Sequence, residues 1–214
     1  MKMSELDLQE QEQVDALKAW WNDNGKWVIG VLVAGLLAFA GNQYWKNHQA
    51  NQAEEAAKLY SEVMRQTASN DAKRIGDAAD ALASRYGSSA YAPRAQLLAA
   101  QASLQSRDIP RAKVQLTWVI EHAAESALQD TARLKLASVM LDEQKYDEAL
   151  KQIESAHPES FTGLYADLKG DVLSAMGKLS DARVAYQLAL DKTDTKSTYR
   201  NLIQLKLDGL GAAK

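Results

Sequence analysis

The sequence predicts an all-α protein with a single N-terminal transmembrane helix, followed by a helical repeat array with a C-terminal capping helix. Three observations lead to this fold class. Helix-favouring residues dominate the 214-residue chain, which contains only three prolines and eleven glycines. One long stretch near the amino terminus lacks charge. In the second half of the chain, small residues recur with a period of about 33 residues, which is typical of stacked helix pairs.

The first predicted segment, residues 1–26, is an acidic and amphipathic tail. It carries six acidic residues against three lysines, and Val14, Leu17 and Trp21 follow one another at helical spacing. The sequence leaves three interpretations open: a short helix on a membrane surface, a helix that contacts a partner helix, and a solvated tail. The acidic charge argues against electrostatic attraction to an anionic lipid surface.

Residues 27–45 are the predicted transmembrane helix. Its uncharged core, from Trp27 to Gly41, is about 22 Å long as a helix, which is shorter than a hydrocarbon layer of roughly 30 Å. Continuing to the aromatic pair Tyr44 and Trp45 lengthens the helix to about 28 Å and places aromatic side chains at both ends, where membrane interfaces favour them. The sequence therefore favours a single span.

Two other interpretations of the apolar segment stay open. Ala38, Phe39 and Ala40 form the small-x-small pattern of a signal-peptide cleavage site, although the preceding residues are more numerous and more acidic than a signal-peptide leader. A buried core helix would need apolar partners on every side, and no other segment is apolar enough to supply them. Lysines flank the segment equally, so charge does not predict its orientation.

One face of the predicted span carries small residues. Gly30, Ala34 and Ala38 recur every four residues, a spacing that lets two membrane helices approach closely. These three residues are the candidate face for helix packing in the membrane.

Residues 46–92 are predicted to form a helical hairpin that leads into the array. The apolar stripe of its first helix includes Ala53 and Tyr60, and that of its second helix includes Ile75 and Leu82. The polar residues 69–71 interrupt the pattern, so we expect two antiparallel helices joined by a short turn.

Residues 93–193 contain three copies of one pattern. Each copy has a small residue at the eighth place, alanine at the twentieth and a bulky residue at the twenty-fourth. The three sets are Ala100, Ala112 and Leu116; Ala137, Ala149 and Ile153; and Gly170, Ala182 and Tyr186. The small residues let two helices touch, and the bulky residue fills the space beside them. The pattern resembles the tetratricopeptide repeat, a helix-turn-helix of 34 residues.

The last predicted segment, residues 194–214, contains a capping helix and a tail. Tyr199, Leu202 and Ile203 are predicted to share the buried face of this helix. A cap is expected because the last repeat of a stacked array otherwise exposes its apolar face to water.

The sequence has no pattern typical of an active site, a cofactor site or a metal site. Cysteine is absent, and the three histidines, His48, His122 and His157, are far apart along the chain. Phosphate-binding glycine loops and nucleophile elbows are also missing. We therefore predict a protein that is not an enzyme and uses no cofactor, metal or small-molecule substrate. A net charge of −3 offers no basic surface for nucleic acid.

The candidate functional surface is the face formed by the first helices of the repeats, because repeat arrays commonly bind partners there. Leucines and scattered polar groups make up this face, a composition suited to a peptide or a partner helix. The candidate residues are Arg94, Leu97, Gln101, Leu104, Thr131, Leu134, Ser138, Leu141, Asp142, Asp167 and Asp171.

Nearly the whole chain resembles one family, the YfgM-like ancillary subunits of the bacterial SecYEG translocon. Three stretches carry the resemblance: VDALKAWWNDNGKW before the apolar segment, GNQYWKNHQANQAEEAAKLYSEV after it, and YADLKGDVLSAMGKLSDARVAYQLAL in the last repeat. The resemblance implies a bacterial inner-membrane protein with a cytoplasmic amino terminus and a periplasmic repeat domain. It also implies association with the SecYEG translocon and with a membrane-anchored periplasmic chaperone of the PpiD type.

The functional hypothesis is a membrane-tethered scaffold, chaperone-like in action, that assists exported proteins beside the translocon. Anchoring a module next to its partner raises its effective concentration without new contacts. Two alternatives stay open. One is a membrane-anchored repeat adaptor or regulator that docks on another envelope complex, and the other is a soluble repeat adaptor released by cleavage after Ala40.

Overall fold

The computed structural model describes residues 3–69 and 71–211. Residues 1–2 and 212–214, from the predicted terminal segments, and residue 70, from the predicted break, lie outside the described residues. The chain divides into two compact units, Met1–Gln52 and Ala53–Lys214. All regular elements of the described residues are helices, so the predicted all-α class is confirmed.

Helix α1, Met3–Thr67, carries the first unit and continues into the second. Within the described part of the chain it is the one helix that is long and apolar enough to cross a membrane. All but one of the large apolar side chains of residues 27–45 are exposed, with Trp27 78% and Leu36 68% accessible; Val28 is partly buried. Because a core helix buries such side chains, the interpretation as a core helix is wrong, and the predicted apolar helix of membrane-spanning length is confirmed.

The small-residue face of α1 is also exposed. Gly30, Ala34 and Ala38 are exposed, and a Cβ built on Gly30 would meet no atom within 4 Å. The face is therefore accessible to another membrane helix, and its role in helix packing stays a prediction.

The second unit is a series of helices that pair with their neighbours along the chain. After the end of α1, its helices are α2 (Ala72–Tyr86), α3 (Tyr91–Gln105), α4 (Ile109–His122), α5 (Ser126–Asp142), α6 (Tyr146–Ile153), α7 (Thr162–Ala175), α8 (Leu179–Lys192) and α9 (Tyr199–Gly209). A single 3₁₀ turn, Glu159–Phe161, precedes α7. The pairs α3–α4, α5–α6 and α7–α8 correspond to the three predicted repeats.

The predicted small and bulky positions meet inside these pairs. Ala100 and Leu116 belong to one buried cluster, and Ala137 and Ile153 belong to the next. In the third pair the approach is closest, because a Cβ built on Gly170 would lie 2.5 Å from the Tyr186 ring.

Each first helix of a pair ends in the same way. The second residue after it adopts a left-handed conformation, with φ of 65° at Arg107, 61° at Gln144 and 76° at Gly177. The following amide donates back to the helix; these bonds are Asp108 N to Ser103 O at 2.8 Å, Lys145 N to Met140 O at 2.8 Å and Lys178 N to Leu173 O at 2.9 Å. This Schellman geometry satisfies a terminal carbonyl and starts the turn to the second helix.

Replacing Gln144 with glycine is expected to raise the free energy of unfolding by about 1 kcal/mol. Glycine adopts positive φ without the steric penalty that a side chain brings, and the third repeat already has Gly177 at this position. Urea unfolding of the full chain in detergent micelles, followed by circular dichroism, measures the change. The control is Lys151→Gly, inside α6, which should lower stability by about 1 kcal/mol. Destabilisation by both changes would contradict the assignment of strain to Gln144.

Helix α9 covers the last pair as the predicted cap. Its buried residues are Ile203 and Leu207, and Tyr199 packs against the same cluster. Leu202, predicted on the buried face, is instead 46% exposed. The reason is helical geometry: residues 199, 203 and 207 are four apart and form one stripe, whereas residue 202 points away from that stripe by about 100°.

Candidate partner-binding face

The first helices of the three pairs, α3, α5 and α7, lie side by side and carry the eleven predicted face residues. Four of these residues are on α3, five on α5 and two on α7. Gln101, Ser138 and Asp142 are exposed, and the four leucines of the set are partly buried. On α3 and α5 the predicted face is therefore accessible.

A groove of roughly 590 Å³ opens between α3 and α5. We name it the α3–α5 groove. Four predicted residues line it: Leu104, Leu134, Ser138 and Asp142. The other lining residues, which the sequence pattern missed, are Ile109, Lys135, Val139 and Glu143. Which flank of α5 borders the groove depends on how α5 crosses α3, and no repeat pattern specifies that angle.

The groove has two charged groups that other residues leave unpaired. Within the described part of the chain, Lys135 and Asp142 have neither an ion pair nor a hydrogen bond through their side chains. Glu143 is different, since its carboxylate lies 2.8 Å from Lys113 Nζ and 3.0 Å from Lys145 Nζ. The hydrogen bond from Lys113, followed by that from Lys145, holds the pKa of Glu143 below its ordinary value.

Arg94, one of the predicted face residues, forms an ion pair. Its Nη2 lies 2.8 Å from Oε1 of Glu125, the residue that precedes α5. This pair connects α3 to the start of α5, so the Arg94 charge is partly neutralised on the face.

The two predicted residues on α7 are not accessible like those on α3 and α5. Asp167 is 3% exposed, and Asp171 is partly buried beneath side chains of α8 and α9. Lys206 Nζ lies 2.7 Å from Asp167 Oδ2 and 2.8 Å from Asp171 Oδ2. Tyr199 donates to Asp167 at 2.6 Å, and Tyr186 donates to Asp171 at 2.7 Å. We name these five residues the α7–α9 ion cluster. Its contacts fasten the cap to the array.

Burial and the carboxylates determine the titration of this cluster. Burial, followed by the hydrogen bond to Asp171, raises the pKa of the Tyr186 phenol well above its ordinary value. The same two causes, with Asp167 as partner, raise the pKa of Tyr199. Burial by itself lowers the pKa of Lys206, but hydrogen bonds to Asp167 and Asp171 outweigh it, and the pKa is raised. The cluster is therefore stable with both phenols neutral and the lysine charged.

The sequence carries a signal of this cluster, which appears when equivalent places in the repeats are compared. Asp167 occupies the place of Leu97 and Leu134 in the earlier copies, and Lys206 stands one repeat length after the buried Val172. An acidic residue and a basic residue thus replace two apolar residues at places that meet between neighbouring first helices. Paired replacements of this kind predict a buried ion pair.

Alkaline pH is expected to destabilise the repeat unit through this cluster. A group whose folded pKa is raised contributes stability that is complete below its unfolded pKa and is lost as pH rises towards the folded value. For both tyrosines and Lys206 the loss therefore begins near pH 10 to 10.5. Each group adds a slope of about 1.4 kcal/mol per pH unit. Tyr199→Phe should remove one such contribution in urea titrations above pH 10, and an unchanged slope would contradict the assignment.

The three histidines make local contacts rather than one site. His122 stacks on Trp118 at 4.5 Å between ring centroids, and His157 stacks on Tyr165 at 4.0 Å. His48 lies 3.0 Å from the side chain of Gln52. Among the described residues, no group of three or more histidine, aspartate or glutamate side chains is arranged to hold a metal ion.

The chain is similar to a known domain family and to known proteins along almost its whole length. Residues 18–212 match the model of the tetratricopeptide repeat-like domain family. The chain is 32% identical to the ancillary SecYEG translocon subunit of Neisseria gonorrhoeae (strain ATCC 700825 / FA 1090) over 205 residues, which cover 95% of this chain and 98% of that protein. It is 27% identical to the ancillary SecYEG translocon subunit of Escherichia coli (strain K12) over 201 residues, which cover 94% and 96%.

A solved structure supports the fold. MamA 41-end from Desulfovibrio magneticus RS-1 superposes with a TM-score of 0.51 at 16% identity, covering 74% of this chain and 89% of that one. The predicted family resemblance is confirmed by the curated relatives, which align along almost the entire chain. The chain belongs to the family of ancillary SecYEG translocon subunits, and its residues 18–212 form a tetratricopeptide repeat-like domain.

Proposed function

We propose that this protein is a non-enzymatic scaffold of the SecYEG translocon, tethered in the bacterial inner membrane by α1. The observation that carries the proposal is the accessible α3–α5 groove, which lies on a repeat array joined in the same chain to an apolar helix of membrane-spanning length. Such an arrangement holds a partner beside the membrane by proximity and by a short contact surface.

The names of the relatives support the translocon as the partner complex. In the proposed topology the amino terminus is cytoplasmic and the repeats are periplasmic. There the groove face contacts a membrane-anchored chaperone of the PpiD type or an emerging exported chain. Partly apolar, accessible surfaces of this kind suit the temporary binding of segments that have not yet folded.

Site-specific photo-crosslinking tests the partner. A photoreactive amino acid at Ser138, inside the groove, should yield adducts with translocon components or with the chaperone in intact cells. The matched control replaces Val184, which is 71% exposed on α8 and outside the groove. Equal adducts from both positions, or adducts with another envelope complex alone, would contradict the proposal; the second outcome would favour a different adaptor role.

Protease treatment of spheroplasts tests the tether and the orientation. Full-length protein in the membrane fraction, with its repeats degraded from outside and a short amino-terminal piece protected, is the expected result. Intact mass measurement distinguishes this from cleavage. A soluble product that begins at Gly41 would contradict every role that depends on a membrane anchor.

A further inference from the structure

The accessible part of the partner-binding face is short. On α7, the places of Leu134 and Ser138 are taken by Asp167 and Asp171, and Lys206 of the cap is bonded to both carboxylates. A ligand that follows the first helices therefore has the α3–α5 groove, and the corresponding surface of α7 is already occupied. On the α7 side, the accessible surface therefore ends at α5.

The groove has an apolar floor, and two residues of opposite charge on α5 lie beside it. Leu104, Ile109 and Leu134 supply the floor. Lys135 and Asp142 are seven residues apart on α5, which places them two turns apart on the same face, about 10 Å along the axis. Because neither charge has an internal ion pair in the described part of the chain, both are available to a ligand.

The spacing of the two charges fits a helical ligand. Lys135 and Asp142 are about 10 Å apart along α5, and two side chains seven residues apart on a ligand helix have the same separation on one face. A helical ligand satisfies its own backbone and presents apolar side chains with charged groups beside them.

We propose that the α3–α5 groove binds a short amphipathic helix of a partner protein that presents an acidic group to Lys135 and a basic group to Asp142, two turns apart, with apolar side chains between them. This proposal rests on the proposed scaffold function and specifies the kind of partner segment. The charge order selects the ligand, and the apolar floor supplies the contact area.

Peptide binding to the full-length protein in lipid nanodiscs tests the charge pattern. The probe is a fluorescein-labelled, alanine-rich amphipathic peptide with leucines on one face and Glu and Lys seven residues apart beside them. A second peptide replaces that Lys with Glu. Fluorescence anisotropy should show about threefold tighter binding of the Glu–Lys peptide, since exposed ion pairs have modest effects.

Two variants of the protein separate charge recognition from simple apolar contact. Asp142→Lys should invert the preference, so that the Glu–Glu peptide binds more tightly. Ser138→Trp, at an exposed position, should fill the groove and weaken both peptides at least about tenfold. Val184→Asp, on α8, is the control and should leave both affinities unchanged.

An unchanged preference in Asp142→Lys, or undiminished binding in Ser138→Trp, would overturn the inference. Recovery of the natural protein from membranes distinguishes it from the proposed function. If the natural protein co-purifies with the translocon but shows no preference between the two peptides, the groove inference fails while the scaffold role stands. If the natural protein does not co-purify, the scaffold role itself fails.

Discussion

Lys206→Ala is expected to lower the free energy of unfolding of the repeat unit by about 3 kcal/mol. The change removes the cation that lies 2.7 Å from the nearly inaccessible Asp167 and 2.8 Å from Asp171. Removing the cation beside a buried carboxylate destabilises the folded protein more than breaking a surface ion pair does, because water cannot solvate the buried charge that remains. One oxygen of Asp167 already has no hydrogen-bond partner, so the loss of Lys206 has little compensation nearby. Urea unfolding followed by circular dichroism measures the effect.

Two further variants show whether the loss of stability in Lys206→Ala comes from the buried ion cluster. Lys192→Ala removes a lysine from a solvent-exposed pair with Glu159 and should have a much smaller effect than Lys206→Ala, because water screens the pair. The triple change Asp167→Leu, Asp171→Ser and Lys206→Val reproduces Leu134, Ser138 and Val172 of the preceding repeat contact, and should recover most of the lost stability. Equal effects of Lys206→Ala and Lys192→Ala would show that the α7–α9 ion cluster does not hold the cap.

Gly170→Ala is expected to destabilise the repeat unit by about 2 kcal/mol. The added methyl group would lie 2.5 Å from two carbons of the Tyr186 ring, and that ring is buried and held by its hydroxyl bond to Asp171. Forced overpacking costs about 1–3 kcal/mol, and alanine's better helix propensity returns at most about 1 kcal/mol. The same unfolding measurement applies.

A second substitution, taken from the matching place in the preceding repeat, should restore part of the stability that Gly170→Ala loses. Gly170→Ala combined with Tyr186→Ile recreates the pair Ala137 and Ile153, which share one buried cluster, and should be more stable than Gly170→Ala alone. Gly209→Ala, where a Cβ would meet no atom within 4 Å, is the control and should not destabilise. If Gly170→Ala were as harmless as Gly209→Ala, close helix contact at Gly170 would not be the reason for glycine there.

The accessibility of the candidate face was only partly predictable from the sequence. The repeat period predicted a candidate face on the first helices, and four of its residues line the α3–α5 groove. It did not distinguish Asp142, which is exposed, from Asp167, which is covered. Both are acidic residues on first helices, and their difference arises from Tyr199 and Lys206 of the cap, which are far along the chain.

By itself the sequence determined the helical class, the apolar helix and the three repeats, because these features depend on local periodicity and on residue size at fixed spacing. It also determined the family through similarity along the whole chain. Only the tertiary structure decided which charged side chains are paired and which residues of the candidate face are accessible. Arg94 pairs with Glu125 and Asp167 pairs with Lys206, whereas Lys135 and Asp142 line a groove. The physical reason is that charge pairing depends on distances of a few ångströms between separate helices, and those distances follow from how side chains of every repeat pack together.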